Sequence, residues 1–389
     1  MTEKKTKIKI GYDAKRIVRN GTGLGSYGRT LINSLSIIDK DDDFLLYAPD
    51  CGKDELRNQI EPHDNIRFVY PKKSITSFPL LSAIQKSAWR SKGMVKDMLI
   101  DGVTLFHGLS GELPVGLHKA GIKSVLTIHD LIFLRHPEYY NPLDVMIYKK
   151  KFHTSLREAD RIIAISECTK RDILYYGDFP EDRIDVIYQS CSMRFEATAT
   201  DNEKKRVIEK YNLPNDYILN IGTIEERKNV LLAVKALEKL RSDLHLIIIG
   251  RWTKYTDKVM EYVKQHNLSE RVHILSGVPN EDLYPICQQA QCFVYPSRYE
   301  GFGIPIIEAI QSGLPVVAAT GSCLEEAGGP ACLYVSPDDD AEMAKSVEKV
   351  ITERKERVEK CKEYISKFEN GDVARQVIEV YNKVLLVNK

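Results

Sequence analysis

The chain has 389 residues, which is too many for one typical core and predicts two domains of roughly 150 to 200 residues each. Hydrophobic residues make up 43% of it and charged residues 29%, and the formal net charge is +1. This composition is ordinary for a soluble globular protein. The near-zero charge argues against a nucleic-acid binder held by bulk electrostatics.

The eight cysteines show no C-x-x-C or other metal-ligand spacing, so reduced thiols in a cytosolic protein fit better than a disulfide framework. The amino-terminal sequence passes from a short basic stretch into a strand without the apolar run of a signal peptide. No run of about 18 apolar residues occurs. We therefore expect a cytoplasmic protein that does not span a membrane.

Short apolar runs alternate with helical patterns through the first half of the chain. The runs that predict strands are KIKIGYD, DFLLYAPD, TLFHG, KSVLTIHD, RIIAIS and IDVIYQ. Stretches between them, such as GSYGRTLINSLSIID and KSAWRSKGMVKDMLI, predict helices. This alternation predicts an α/β domain with a doubly wound parallel sheet.

A polar stretch without periodicity, SMRFEATATDNEKK, separates this half from a second set of predicted strands. Those strands are DYILNIG, LHLIIIG, VHILSG, CFVYP, PVVAA and ACLYV. We place one domain over residues 1–192 and another over 193–371. The helix predicted within 372–389 has apolar residues near helical spacing and needs a surface to pack on, so it is a candidate to return to the first domain.

The segment CFVYPSRYEGFGIPIIEAIQSGLPVV predicts a strand, a loop, a helix, a cap and another strand. Pro305 suits the first helical position and Gly313 the C-terminal cap. Ligands of such sheets bind beyond the carboxyl ends of the strands, so the helix N-terminus, next to glycines that permit close approach, predicts a phosphate site.

Two carboxylates lie on either side of this helix start. Glu308 is expected in the first turn, where it suits the two hydroxyls of a ribose, and Glu300 suits another hydroxyl of the same ligand. A plainer alternative makes Glu308 a partner of the helix dipole and Glu300 a solvated loop residue. Arg227 and Lys228 follow another strand, where two cations oppose the helix dipole but suit a diphosphate.

Five segments, in chain order, resemble glycosyltransferase family 4, the retaining nucleotide-sugar-dependent enzymes of GT-B fold. They are GTGLGSYGRTLINSL, TIHDLIFLRHPEYY, AISECTKRDIL, GTIEERKN and YEGFGIPIIEAIQSGLPVV. The likeness extends from about residue 8 to 345 and is greatest to a mannosyltransferase-like subgroup active on bacterial surface polysaccharides. It implies two Rossmann-like doubly wound parallel-sheet domains facing a deep cleft, the first binding the acceptor and the second the nucleotide sugar.

The resemblance also implies roles for individual residues. Glu300 would contact the donor sugar, Glu308 the ribose, and Arg227 and Lys228 the diphosphate, while His129 would lie near the reaction centre. A histidine at a strand end is otherwise a structural residue, and His107 in FHG remains only a possible acceptor contact. The other implied donor-binding positions are Gly23, Gly25, Gly222, Thr223, Phe302, Gly303 and Ile304.

The glycines of GTGLGSYG also match a dinucleotide-binding pattern, with Asp50 at about the right distance. AKRIVRN lies between the first strand and these glycines, whereas the pattern needs the first glycine directly after the strand. A mobile glycine loop over a donor diphosphate, with Gly25 closest, suits the spacing better. A nicotinamide oxidoreductase therefore remains the less favoured alternative, beside a GT-B isomerase of nucleotide sugars.

Two acid-x-acid matches, Asp41 to Asp43 and Asp338 to Asp340, are better explained as a turn and a helix N-cap. We therefore predict no required metal or cofactor. The resemblance implies transfer of a hexose, with mannose from GDP-mannose favoured, to a glycan or lipid-linked glycan, with retention of configuration. The segment 80–100 has the composition of either a membrane-surface helix or a helix packed on the sheet, so peripheral contact with the inner membrane face stays open.

Overall fold

The computed structural model describes residues 7–71, 78–190 and 193–386, without the side chains of Pro79, Met193 and Arg194. The chain divides into two compact units, Met1–Ser190 with Phe368–Lys389 and Cys191–Lys367. Each unit contains one parallel β-sheet with helices. The predicted pair of Rossmann-like parallel-sheet domains is confirmed.

The first unit has seven parallel strands in the order β3-β2-β1-β4-β5-β6-β7. They are β1 Lys9–Asp13, β2 Asp43–Tyr47, β3 Ile66–Val69, β4 Leu105–Gly108, β5 Lys123–Ile128, β6 Arg161–Ala164 and β7 Ile184–Val186. Six of these were predicted. Strand β3 was missed because it has four residues and only Val69 is fully buried, so its apolar pattern is weak.

The helices between these strands are α1 Lys15–Arg19, α2 Gly23–Ile38, α3 Asp54–Arg57, α4 Pro79–Ala88, α5 Met94–Asp101, α6 Leu117–Ala120, α7 Ile132–Arg135, α8 Pro142–Glu158 and α9 Glu167–Tyr176. A π-helical turn, Trp89–Gly93, joins α4 to α5. The segment 86–100, predicted as one helix, is therefore a helix interrupted by this turn.

The second unit has six parallel strands in the order β10-β9-β8-β11-β12-β13. They are β8 Tyr217–Ile221, β9 His245–Ile249, β10 Val272–Leu275, β11 Cys292–Tyr295, β12 Val316–Ala319 and β13 Leu333–Val335, all six as predicted. The helices are α10 Asp201–Tyr211, α11 Val230–Leu237, α12 Lys254–Gln265, α13 Asn280–Gln289, α14 Ile304–Gln311, α15 Leu324–Gly328, α16 Asp340–Thr352 and α17 Arg354–Ile365.

The last helix, α18 Asn370–Leu386, belongs to the first unit, where it packs on α2 and β5. Its apolar side chains join the core formed by one face of the first sheet. The buried ones are Val373, Ala374, Val377, Val380, Tyr381 and Val384. The helical spacing of these residues is thus explained by burial against the first unit.

The strand order places the first strand of each unit in the middle of its sheet. In the first unit β1 has β2 on one side and β4 on the other, and in the second unit β8 has β9 and β11. The order reverses at these pairs, and ligands of doubly wound sheets bind at such switch points, beyond the carboxyl ends of the strands. A ligand-binding site is therefore expected at the loops after β1, β4, β8 and β11.

Candidate active site

In the second unit, the loops after β8 and β11 bring the predicted charged residues together. Arg227 and Lys228 end a short 3₁₀ turn after β8, and Glu300 follows β11. The two strands are parallel neighbours, so both loops leave the same edge of the sheet. The backbone N–H of Arg298 donates to the carbonyl of Arg227 at 2.8 Å, which fixes one loop against the other.

Glu300 is the acceptor at the centre of this cluster. Its Oε2 lies 3.1 Å from Nη1 of Arg227, and its Oε1 accepts a hydrogen bond from the ammonium group of Lys228. Ser297 Oγ at 2.5 Å and Tyr295 OH at 3.1 Å donate to the same Oε1. The carboxylate is therefore the counterion of both cations at once.

The cluster is largely shielded from water. The side chains of Glu300, Arg227 and Lys228 are 11%, 14% and 17% exposed. Burial opposes ionisation of Glu300, but the charges of Lys228 and Arg227, with hydrogen bonds from Lys228 and Ser297, outweigh it and lower its pKa to about 2. Burial likewise opposes the charge of Arg227, yet Glu300 and Glu225 raise the pKa of this guanidinium. Glu300 and Arg227 therefore stay charged at neutral pH, and Arg227 also pairs with the carboxylate of Glu225 at 2.8 Å.

The prediction that Glu308 lies in the first turn of its helix is wrong. Helix α14 begins at Ile304, one residue earlier than the position of Pro305 suggested, and its first turn contains no acidic residue. Glu308 is partly exposed at the start of the second turn. Gly313, with φ of 83°, follows the helix end, and the N–H of Leu314 bonds back to the carbonyl of Ala309 at 3.0 Å, as a glycine cap requires.

Packing within the protein is enough to explain the glycine at position 303 of this loop. Gly303 has φ of 124°, and a Cβ there would lie 3.0 Å from Leu324 Cδ2 and 3.2 Å from Ala327 Cβ. Its lack of a side chain is therefore required by packing on α15 even without a ligand. The Phe302 side chain is only 3% exposed, and its carbonyl accepts from Cys323 Sγ at 2.9 Å.

Gly222 and Thr223 come directly after β8, on the same strand end as the cations. Gly222 has φ of 157°, and the nearest side-chain atoms to a Cβ built on it are Cδ and Cε of Lys228, each at 4.0 Å. The N–H of Gly222 donates to the carbonyl of Ile249 at 2.9 Å, which extends the β8–β9 ladder by one bond. The structure thus places Gly222 beside Lys228.

In the first unit, His129 follows β5 and is 9% exposed. Its Nε2 lies 2.8 Å from the carbonyl oxygen of Leu109, and its Nδ1 lies 2.8 Å from Nε2 of Gln189. A carbonyl only accepts and an amide NH₂ only donates, so the ring is neutral with its proton on Nε2. Burial lowers the pKa of His129 to about 4. Both ring nitrogens are therefore engaged by the protein.

His107 is fully buried and does not offer an acceptor contact. Its Nδ1 lies 2.7 Å from the hydroxyl of Tyr381, and its Nε2 lies 2.8 Å from Oγ1 of Thr127. Burial and, secondarily, His129 lower the pKa of His107 to about 3. This histidine links α18 to the sheet and is a structural residue.

The interpretation of Gly23 and Gly25 as part of a mobile loop is wrong, because both lie in the first turn of α2. A Cβ on Gly25 would lie 1.9 Å from the carbonyl oxygen of Asn20 and 2.8 Å from that of Arg16, so this glycine allows the backbone to pack tightly on itself. A Cβ on Gly23 meets nothing within 4 Å. Their predicted contact with a donor stays a prediction.

The rival dinucleotide site is not formed. Helix α1 stands between β1 and the glycines, so the first glycine does not follow the strand. Asp50 is paired instead with Arg19 and, at 2.7 Å, with Lys86. In the part of the chain that the structure describes, no three His, Cys, Asp or Glu residues are grouped as metal ligands. Asp339 caps α16 by accepting from the N–H of Glu342 at 2.8 Å.

Tyr295 and Ser297 belong to the cluster and were not predicted from the sequence. Both donate to Glu300, and Tyr295 OH also lies 2.7 Å from Nζ of Lys228. The signal that would have found them is their position, since Tyr295 ends β11 and Ser297 precedes Glu300 by three residues in the same loop.

Family comparisons agree with the two units. Residues 23–190 match the family model described as Glycosyltransferase Family 4, and residues 201–368 match the one described as Glycosyl transferases group 1. The two models together cover most of the chain. The chain belongs to the family 4 glycosyltransferases of GT-B fold, and it is a glycosyltransferase.

The relatives of this chain among known proteins include mannosyltransferases. The chain is 29% identical over 345 residues to O-antigen chain mannosyltransferase B of Escherichia coli, covering 85% of this chain and 87% of that protein. Among solved structures, sucrose-phosphate synthase from Thermosynechococcus elongatus aligns with a TM-score of 0.77 at 18% identity, covering 98% of this chain and 100% of that one. Anabaena HepE in complex with UDP and glucose aligns at 0.73 and 17%, covering 97% and 100%.

Within residues 7–71, 78–190 and 193–386, no helix is both long and apolar enough to span a bilayer.

Proposed function

We propose that this glycosyltransferase moves a hexose, mannose from GDP-mannose, to a hydroxyl of a glycan or lipid-linked glycan acceptor in surface polysaccharide synthesis. The observation that carries the proposal is the shielded cluster of Arg227 and Lys228 around Glu300 at the β8–β11 strand ends. The similarity to an O-antigen chain mannosyltransferase favours mannose and a surface polysaccharide.

The cluster suits a diphosphate because Glu300, a counterion that a ligand can replace, holds both cations at the strand ends, while Arg227 has a second carboxylate partner in Glu225. A donor diphosphate would compete with Glu300 for the two cations. Glu300 would then be released to accept a hydrogen bond from a sugar hydroxyl. In this proposal the carboxylate holds the cations in place until the donor arrives, and then helps to position the sugar.

The same cations support the departure of the leaving group. Negative charge grows on the diphosphate as the bond to the sugar breaks, and two pre-positioned cations stabilise it without a metal ion. Glu308 binds the ribose from the second turn of α14. Backbone groups of Gly222, Thr223, Gly303 and Ile304 lie on the same strand-end loops and complete the donor site, and the Phe302 contact is made by its backbone because the ring is buried.

We propose retention of configuration because Glu300 is committed to cations and hydroxyls and does not act as a nucleophile. The acceptor hydroxyl would attack from the face that the leaving group vacates, and a diphosphate oxygen would take its proton. His129 would take part through position rather than proton transfer, because its neutral ring has both nitrogens engaged. The first unit is the acceptor-binding one in this proposal.

A donor screen tests the proposal most directly. A ligand that binds only the folded state raises the thermal midpoint, so GDP-mannose and GDP should raise it more than UDP or ADP compounds. Transfer of labelled mannose should need an added acceptor and should continue with EDTA. Stabilisation by UDP compounds alone would overturn the GDP assignment, and sugar conversion without an acceptor would instead indicate the isomerase. Loss of turnover on chelation would contradict metal independence.

A further inference from the structure

Cys332 and Cys361 form a pair of buried thiols in the second unit. Cys332 directly precedes β13 and Cys361 lies in α17, yet their sulfur atoms are 3.6 Å apart. A disulfide bond is about 2.05 Å long, so the sulfur atoms need to approach each other by only about 1.5 Å to form one. The fold therefore holds two reduced cysteines within reach of a covalent bond.

A polar cavity borders both cysteines. It has a volume of about 670 Å³, and its walls include Ala331, which directly precedes Cys332, and Lys360, which directly precedes Cys361. A cavity needs only roughly 10 to 15 Å³ of such volume to hold one water molecule. The space next to the thiol pair thus admits a small oxidant such as hydrogen peroxide.

Arg357 lies between the cavity and the thiols. It comes one helical turn before Cys361, and its Nη1 donates to the carbonyl of Ala331 at 2.7 Å. The hydrogen bond with Cys332 and, against the effect of burial, the charge of Arg357 lower the pKa of Cys361. The same hydrogen bond and burial raise the pKa of Cys332. Because the thiolate is the reactive form of cysteine, Cys361 is the better nucleophile of the two.

The cysteine pair also contacts the helices that support the proposed donor loop. Sγ of Cys332 lies 3.2 Å from the carbonyl oxygen of Gly328, the last residue of α15, and α17 packs on both α14 and α15. Side chains of α15 lie against Gly303, which directly precedes α14. A disulfide has no S–H, so its formation would remove the thiol partner of the Gly328 carbonyl. A change at the thiols therefore reaches the start of α14.

We propose that Cys332 and Cys361 form a reversible disulfide when a hydroperoxide enters this cavity, and that the bond weakens binding of the nucleotide sugar. The thiolate of Cys361 attacks one oxygen of hydrogen peroxide and the O–O bond breaks. The hydroxide that leaves takes up the proton that the Cys361 thiol had released, and Cys361 becomes a sulfenic acid. The thiol of Cys332 then attacks this sulfur, and its proton leaves with the sulfenic hydroxyl as a second water.

The overall reaction oxidises two thiols and reduces one hydroperoxide to two waters. A dithiol reductant reverses it by thiol–disulfide exchange. In a reducing compartment such a bond is transient and reports oxidative conditions. The effect on donor binding rests on the proposed function, whereas formation of the bond does not.

Peroxide treatment followed by peptide mapping tests the bond. The reduced full chain and the variants Cys332→Ala and Cys361→Ala are treated with hydrogen peroxide, digested without reductant and analysed by mass spectrometry. Cys292→Ala is the matched control, because Cys292 is another fully buried thiol of the same unit. Every protein also has Cys51→Ser, which removes an exposed thiol able to link two chains.

The wild type and the Cys292 control should yield a peptide that joins residues 332 and 361, and dithiothreitol should remove it. Thiol titration of the denatured protein should show the loss of one pair of thiols in these two proteins and not in the other variants. Cys332→Ser, which nearly preserves side-chain volume, replaces Cys332→Ala if the alanine variant does not fold. A wild type without the linked peptide, or a Cys361 variant that loses the same pair of thiols, overturns the proposal.

Titration with GDP-mannose before and after oxidation tests the effect on the donor. The affinity should fall about fivefold or more on oxidation, recover with dithiothreitol, and stay unchanged in the Cys332 variants. An unchanged affinity in fully cross-linked protein overturns the coupling to donor binding. A linked peptide in a protein that binds no GDP-mannose contradicts only the proposed function, and the nucleotide sugar selected by the donor screen then measures the coupling.

Discussion

The charged cluster at the strand ends of the second unit contrasts with two strand-end histidines of the first unit, although the first unit also contains a shielded ion pair between Arg90 and Asp13 at the end of β1. In the second unit Glu300 and Arg227 stay ionised next to Lys228, although all three side chains are shielded from water. In the first unit His107 and His129 are buried as neutral rings, with every ring nitrogen bound to another protein group. Keeping charge away from water is expensive, so the charged cluster is the stronger candidate for function and the neutral network for structure.

The largest expected effect is that of Lys228→Ala. Loss of one cation should lower turnover by about 10² to 10³-fold, because charge on the leaving group is stabilised less. The thermal midpoint should change little, since Arg227 remains paired with Glu300. Steady-state kinetics and a melting curve measure both, with Lys264→Ala, an exposed lysine of α12, as the control. Wild-type turnover in the Lys228 variant would remove this cluster from catalysis.

Glu300→Gln tests the two proposed roles of the carboxylate, which are to hold the cations before the donor binds and to position the sugar afterwards. It removes the counterion of Lys228 and one of the two carboxylates paired with Arg227, which should cost about 3 kcal/mol of unfolding free energy. Turnover should fall as the sugar contact weakens. Because Glu300 competes with the diphosphate, GDP should bind this variant at least as tightly as the wild type. Calorimetric titration with GDP measures this, and weaker GDP binding would contradict the competition.

Acid should weaken the first unit before it disturbs the charged cluster. Histidine has an unfolded pKa of about 6.5, whereas the folded pKa is about 3 for His107 and about 4 for His129. Below pH 6.5 the unfolded chain therefore binds protons that the folded chain does not. The free energy of unfolding consequently decreases as the pH is lowered through this window. Glu300, with a folded pKa of about 2, loses its stabilising effect only as pH falls below about 4.3.

Melting midpoints between pH 7 and 5 check this order. The wild type should lose stability over that range, and His107→Asn, which keeps a polar side chain that does not titrate there, should lose less between the two pH values. Glu300→Gln should keep the wild-type slope in this range. An equal slope in the His107 variant would show that this ring does not set the acid sensitivity.

The smallest effect is expected at the contact between α18 and the sheet. Tyr381→Phe removes a hydroxyl that lies 2.7 Å from Nδ1 of His107 and 3.3 Å from Tyr12 OH. The loss should be about 1 kcal/mol of unfolding free energy, measured by urea denaturation, with turnover retained. Tyr175→Phe, at a residue 75% exposed, is the control and should be neutral.

The strands were the easiest part to predict, because parallel strands buried on both faces read as short apolar runs. Strand β3 was missed because it lacks such a run. The start of α2 was also predicted wrongly, because its glycines indicated a loop. There Gly25 allows the helix start to pack closely on residues 16 and 20, a contact that spacing does not reveal. The loop after β11 was read correctly as an approach to a helix, but the helix begins one residue earlier than Pro305 indicated.

The sequence by itself determined the alternation of strands and helices, the resemblance to family 4 glycosyltransferases and the positions of the charged loop residues, because these depend on local patterns. Only the tertiary structure decided that Glu300 binds both Arg227 and Lys228, and that both ring nitrogens of His107 and of His129 are bound by other protein groups. Each of these is set by groups far apart in the chain, and burial and pairing exist only once the strands lie side by side.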